Sequence, residues 1–174
     1  MSARREQYVE LTRVGVCMHT HKLLTRKVLL THRSKWRQEG KSLVFTNGCF
    51  DLLHRGHVEY LQQARGLGDL LVVGLNSDDS VRRLKGPDRP VVAEADRAAI
   101  LCGLQDVDFV TLFPESSVEP LVAALLPDVL VKGGDYKPED VVGRQLVEEA
   151  GGRVATLCLV PGQSTTELAH KALH

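Results

Sequence analysis

The chain lacks an excess of charge of either sign: 22 lysines and arginines balance 22 aspartates and glutamates. A dedicated nucleic-acid binder needs a basic surface, so that class is set aside. The run Arg82-Arg83-Leu84-Lys85 is locally positive, but a small anion accounts for it as well as a nucleic acid does. Cysteine is scarce and scattered. Cys17, Cys49, Cys102 and Cys158 show no zinc or redox spacing, which reads as reduced thiols in a cytoplasmic protein. No apolar run approaches the roughly 20 residues of a membrane span. The first residues include Arg4, Arg5 and Glu6 and lack an apolar core followed by a cleavage site, so no secretory signal is expected. Internal repeats and low-complexity segments are missing as well.

What is present suits one domain of 174 residues with a short appendage. Residues 1–21 follow no clear period and read as a loose or partly ordered extension, despite the metal-tag look of His19-Thr20-His21. Residues 22–174 form the domain. Thr25 can cap a helix over about 26–39, which Gly40 ends. Apolar runs at 43–46, 70–75, 107–112, 128–132 and 153–159 read as strands. Helical patterns at 56–67, 94–104, 116–126, about 139–150 and 165–172 separate them. Pro127 and Gly151-Gly152 mark helix exits. Continuously apolar strands alternating with helices imply an α/β fold, a Rossmann-like, doubly wound parallel sheet of about five strands. Ligands of such sheets bind beyond the carboxyl ends of the strands. The segments after the first, second, fourth and fifth strands therefore converge on one rim.

The segment after the first strand carries the most information. Thr46-Asn47-Gly48-Cys49-Phe50-Asp51-Leu52-Leu53-His54-Arg55-Gly56-His57 runs from a strand through a glycine turn into a helix. His54 and His57, three residues apart, share a helix face. The free N–H groups and positive dipole end of the helix lie at the same spot. Gly56 removes a side chain that would block backbone approach. A pair of imidazoles at a helix start can also be half a metal site, but zinc asks for three or four ligands, and no cysteine pair or third histidine follows. The pattern is that of a polyphosphate holder, with no resident metal site assigned.

This segment resembles the H-x-G-H signature of the nucleotidyltransferase superfamily with a cytidylyltransferase-like fold. Further segments follow in the order of one family within it: Asn76-Ser77-Asp78, Arg83-Leu84-Lys85-Gly86, Arg89-Pro90-Val91, Leu130 through Pro138 with its Lys132-Gly133-Gly134-Asp135-Tyr136-Lys137 run, and Ser164-Thr165-Thr166. Together they resemble the D-glycero-β-D-manno-heptose 1-phosphate adenylyltransferases, the ADP-heptose synthase domain, over about residues 22–173. The resemblance implies an enzyme joining ATP, with Mg2+, to a sugar 1-phosphate and releasing pyrophosphate. It also implies an ADP-heptose product for lipopolysaccharide or another surface glycan, a separate upstream sugar kinase and a homodimer, with no nucleic-acid or membrane partner. Other acceptors of the superfamily (glycerol or polyol phosphate with CTP, FMN or a pantetheine phosphate with ATP) and a catalytically silent nucleotide-binding regulator are the competing readings.

The resemblance distributes roles over named residues. His54 and His57 would donate to the α- and β-phosphates, and Lys85, on a loop with Gly86 and Pro87, would close on the triphosphate as a clamp. Its bland alternative is an ordinary solvated lysine. Thr46, Asn47, Gly48 and Phe50 would hug the nucleotide. Asp51 is either a loop-stabilising carboxylate or a partner orienting His57 or a metal shell, the former being favoured. Asn76 and Asp78 are expected to bind the nucleotide, Arg89 to act as a weaker counterpart of Lys85, and Arg97 to lie near the phosphates, although Arg97, following Glu94 and Asp96, could instead pair with a carboxylate on its own helix surface. Lys132, Gly133 and Asp135 would meet a base or sugar, and Ser164, Thr165 and Thr166 the phosphates. Cytidylyltransferases often carry an arginine just ahead of the last segment. Here the residues are Pro161-Gly162-Gln163, which speaks against a glycerol phosphate acceptor.

Overall fold

A computed structural model describes residues 21–134 and 137–157. The expected extension before residue 21, Asp135, the helix expected at 165–172 and Ser164-Thr165-Thr166 lie outside the described residues.

Helix α1 (Arg26–Gln38) opens at Thr25, whose side chain accepts a hydrogen bond from the Val28 N–H, as the sequence suggests. There follow β1 (Leu43–Gly48), α2 (Arg55–Arg65), β2 (Leu70–Asn76), α3 (Asp78–Lys85), α4 (Glu94–Gly103), β3 (Phe109–Phe113), α5 (Glu119–Leu125), β4 (Val129–Gly133), a 3-10 turn (Pro138–Asp140), α6 (Arg144–Glu149) and β5 (Arg153–Leu157). The five strands form one sheet in the order β3-β2-β1-β4-β5, and every pairing is parallel. This is the Rossmann-like α/β fold the alternation of apolar strands and helices implies. β1 is central, with Thr46 in register between Val73 of β2 and Val131 of β4.

Alternate residues of each strand feed two cores. Val44, Val73 and Val131 pack with Tyr60, Leu61 and Ala64 of α2 and Leu101 of α4. Leu43, Phe45 and Val72 pack on the other face with Leu29 of α1, Leu121, Val122 and Leu125 of α5 and Val147 of α6. Burial on both faces explains why the strands read as continuous apolar runs. The chain is tied to the sheet before α1 begins: Leu24 N donates to Val110 O and Val110 N to Lys22 O, both at 2.9 Å.

One helix was not visible in the sequence. α3 spans residues that read as a loop after β2, and Lys85 is its last residue. Its apolar content is slight, and Leu84 is exposed, so no hydrophobic period announces it. End effects hold it instead. The Ser77 side chain accepts from the Ser80 N–H, Asp78 and Asp79 occupy the first turn, and Arg82, Arg83 and Lys85 the last, an arrangement that suits the helix dipole. The expected helix at 139–150 is split into the 3-10 turn and a short α6. Gly143, at φ +88°, stands between them, a backbone conformation that favours glycine.

Candidate active site

The turn between β1 and α2 stands at the carboxyl edge of the sheet. Phe50 takes φ +44°, a left-handed conformation uncommon for a bulky side chain. Its ring lies 5.3 Å from the His57 ring, centroid to centroid. A Cβ added to Gly48 would sit 2.9 Å from the Phe50 ring, so the turn requires glycine there for space. His54 is the N-cap of α2, and its ring lies 4.0 Å from that of His57. The Nδ1 atoms of both rings are buried and have no hydrogen-bond partner among the described residues. A buried unsatisfied polar atom costs about 1–3 kcal/mol. Two such atoms on neighbouring rings mark a place arranged for something other than folding.

Electrostatics agree. Burial, then the neighbouring His54 and Lys85 charges, push the His57 imidazole down to about 4. Burial also lowers His54. Both rings are thus neutral near pH 7 in the empty protein, each with one N–H to donate. A bound polyanion favours the imidazolium and raises the pKa again. We therefore expect the His57 imidazole resonances to titrate near pH 4 alone and to move to clearly higher pH with saturating ATP. Binding then takes up a proton and tightens as pH falls through that window. An NMR titration with and without ATP measures it, and an unchanged midpoint would remove His57 from phosphate contact.

A cleft of about 630 Å³ opens beside His57; His54 is not among the residues that line the cleft. Of the residues expected to bind nucleotide, Asn47, Gly48, Phe50, Asp51, His57, Asn76, Lys85, Lys132 and Gly133 line it. Lys85 reaches it from the end of α3, next to Gly86 at φ +99°. Burial lowers the pKa of Lys132, against a raising contribution from Cys49. Gly56 is buried in the first turn of α2.

Six of the expected nucleotide contacts are engaged inside the protein: Thr46, Asp51, Asn76, Asp78, Arg89 and Arg97, with Asn76 Nδ2 donating to Ser80 Oγ at 3.0 Å. Thr46 is fully buried, and its hydroxyl lies 2.6 Å from that of Tyr60, which also donates to Val131 O. Thr46 points toward the α2 face and supports the floor of the site. Arg97 is 1% exposed. Its Nη1 donates to Cys49 O at 2.5 Å and Asn76 O at 2.9 Å, its Nε to Val92 O at 2.9 Å, and its Nη2 to Asp78 Oδ1 at 2.7 Å. Asp78 is thereby occupied too, and its N–H donates to Glu94 Oε2. Arg89 pairs with Asp51 at 2.7 Å. Asp51 also accepts from the N–H groups of Val91 and Val92 at 2.8 and 3.0 Å. Burial alone would raise the Asp51 carboxyl. The bonds from Val92, Arg89 and Val91 outweigh it and hold the group below its usual range. The loop-stabilising reading of Asp51 holds, and it does not orient His57. These corrections share a cause. Except for Val92 O, the partners of Arg89 and Arg97 lie 19 to 48 residues away, where sequence spacing is silent. Together the two arginines join the β1 turn, the end of β2, the start of α3 and the 89–92 loop into one frame behind the histidines.

Sequence reasoning missed the other wall of the cleft: Phe113 at the end of β3, Ser116, Ser117 and Val118 after it, Leu130 on β4, Asp140 at the end of the 3-10 turn, and Val141 and Val142 after that turn. The carboxyl-end rule alone would have pointed to the segment after β3, since that strand was expected.

The cytidylyltransferase-like family matches residues 45–157, and the chain belongs to it. Among particular relatives, the bifunctional protein HldE of Syntrophotalea carbinolica is 60% identical over 137 residues, covering 79% of this chain and 28% of that protein. The HldE protein of Pelobacter propionicus is 56% identical over 152 residues, 87% of this chain and 31% of its own length. The chain thus spans under a third of these relatives. The crystal structure of a lipopolysaccharide core biosynthesis protein from Thermoplasma volcanium is 31% identical, with a TM-score of 0.57 over 70% of this chain and 98% of that one. Pantoate-beta-alanine ligase from Francisella tularensis, 14% identical, shares the fold alone, with a TM-score of 0.57 over 86% of this chain and 76% of that one.

Proposed function

We propose that this chain is an adenylyltransferase that joins ATP and D-glycero-β-D-manno-heptose 1-phosphate, giving ADP-heptose and pyrophosphate. The observation that carries the reaction type is the pair of stacked imidazoles, neutral and with unpartnered buried nitrogens, at the start of α2. The acceptor is supported by the family motifs spread over the chain, by the similarity to HldE proteins over four-fifths of its length, and by the lipopolysaccharide core protein of the same fold.

The chemistry needs no strong base. An ionised phosphate oxygen of the sugar 1-phosphate attacks the α-phosphorus of ATP in line. The bond from that phosphorus to the oxygen bridging the β-phosphate breaks, and pyrophosphate leaves with the electron pair. Negative charge gathers on the transferring group and the leaving oxygens, so positioned donors supply most of the catalysis. His54 and His57 donate to the α- and β-phosphates, with the N–H groups of the α2 start behind them. Lys85 approaches the same phosphates from the end of α3. Arg97 and Asp51 touch no substrate and act by fixing the frame. Asp135, Ser164, Thr165 and Thr166 complete the nucleotide site in this reading.

Magnesium would arrive with the triphosphate. Among the described residues no group of three or more His, Cys, Asp or Glu side chains is arranged to hold a cation, and Asp51 and Asp78 are occupied by arginines. Mg2+ commonly binds through substrate phosphates and few protein ligands. When bound it would neutralise phosphate charge. No described helix is long and apolar enough to cross a membrane. A cytoplasmic homodimer, with a sugar kinase activity supplying the sugar 1-phosphate, completes the proposal.

The test is pyrophosphate release with ATP or CTP against heptose 1-phosphate in both anomeric forms and a panel of polyol phosphate, FMN and pantetheine phosphate acceptors. ATP with the β-anomer is expected to give the highest kcat/KM. Preference for CTP or another acceptor would overturn the substrate assignment, and silence with every pair would favour a regulator.

A further inference from the structure

We infer that the wall of the cleft built from the β3–α5 segment and the 3-10 turn is the subsite for the hydroxyl-bearing part of the acceptor, with Asp140 as its specificity-determining residue. The inference rests on the proposed reaction and extends it to residues that no motif marks.

The cleft has two unlike sides. His57, Phe50 and Tyr60 belong to the turn and helix on the α2 face, and the phosphates are assigned there. Phe113, Val118 and Val141 belong to the core on the opposite face of the sheet, yet they line the same cleft. They form an apolar floor. Ser116, Ser117 and Asp140 are exposed and border it. The Ser116 Oγ accepts from Arg83 Nε at 3.1 Å, and the Ser117 Oγ accepts from the Glu119 N–H at 3.2 Å. Each serine is thus oriented by a bond it accepts and keeps its own O–H to donate. Asp140 supplies an acceptor. Donors and an acceptor around an apolar floor suit a sugar, whose C–H face packs on the floor while its hydroxyls meet the rim.

Charge sets the direction. A carboxylate at the border of a cleft meant for a triphosphate repels it, so the Asp140 end takes the part of the substrates without phosphate charge. In-line displacement has the same requirement. Attacking and leaving groups stand on opposite sides of the α-phosphorus, so the acceptor approaches from the side away from the departing pyrophosphate.

Asp140→Ala separates these roles, since an exposed side chain can be removed without disturbing the fold. The readouts are steady-state pyrophosphate release, giving KM for heptose 1-phosphate and for ATP, and calorimetric ATP binding. The expected result is an acceptor KM raised about tenfold, as for loss of a hydrogen bond from a charged group, with kcat, ATP KM and ATP Kd within about twofold of the parent. Weakened ATP binding with an unchanged acceptor KM would assign this wall to adenine and overturn the inference. So would three unchanged constants. If the parent protein releases no pyrophosphate with any sugar 1-phosphate, the functional reading and the subsite both fall. Failure in the variant alone sinks only the subsite.

Discussion

Replacing His57 by alanine is expected to lower the rate of pyrophosphate release by on the order of 100- to 1,000-fold, the usual effect of removing one donor aimed at charge developing in a transition state. His54→Ala should fall in the same range. Because the rings lie 4.0 Å apart and are proposed to serve one phosphate chain, the double variant should lose much less than the product of the two single losses. The fold should survive. Neither Nδ1 has a partner among the described residues, so no hydrogen bond to them through that atom is broken, and removing a buried unsatisfied nitrogen offsets some of the packing lost. Unfolding followed by circular dichroism checks this point, and steady-state kinetics with ATP in excess checks the rate. Near-parental kcat in both single variants would refute the phosphate-holding role, whatever the acceptor proves to be.

Arg97→Met should act in the opposite manner, mainly on stability. The substitution keeps much of the side-chain length and removes a fully buried guanidinium. It leaves Cys49 O, Asn76 O and Val92 O without that donor and strands the Asp78 carboxylate. Breaking a buried ion pair by removing one partner typically costs about 3–5 kcal/mol. For a chain of this size that corresponds to a fall in Tm of roughly 6–20 °C. Arg97→Lys should recover part of the charge and little of the geometry, since an ammonium cannot span four acceptors as a planar fork does. At a temperature where Arg97→Met is still folded, its kcat should fall more than its ATP affinity, because the β1 turn and the start of α3 lose their common anchor. A variant with parental Tm would show that the frame does not depend on Arg97.

The two arginines show where sequence reading stops. Arg89 stands in a family motif and Arg97 follows it on the next helix, and basic residues near a polyphosphate site invite assignment to phosphate. Their actual partners, Asp78 and Asp51, are themselves motif residues. A motif records which residues occur together, and it does not distinguish those that touch a ligand from those that hold each other. Thr46 makes the same point through strand alternation. Its side chain falls on the α2 face, beneath Tyr60, while its neighbours Asn47 and Gly48 reach the cleft. α3 escaped notice because its stability comes from capping and charge placement, which leave almost no hydrophobic period.

By itself the sequence determined the parallel α/β sheet, the strand–turn–helix at residues 43–65 and the pair of histidines at its corner. These rest on local signals: continuous apolar runs for doubly covered strands, glycine at a crowded turn, and residues three apart on a helix. Only the tertiary structure decided which charged groups face the cleft and which are locked behind it, and that a second wall from β3 and the 3-10 turn stands opposite the histidines. Those outcomes depend on partners distant along the chain, brought together by strand order and by which face of the sheet each side chain takes.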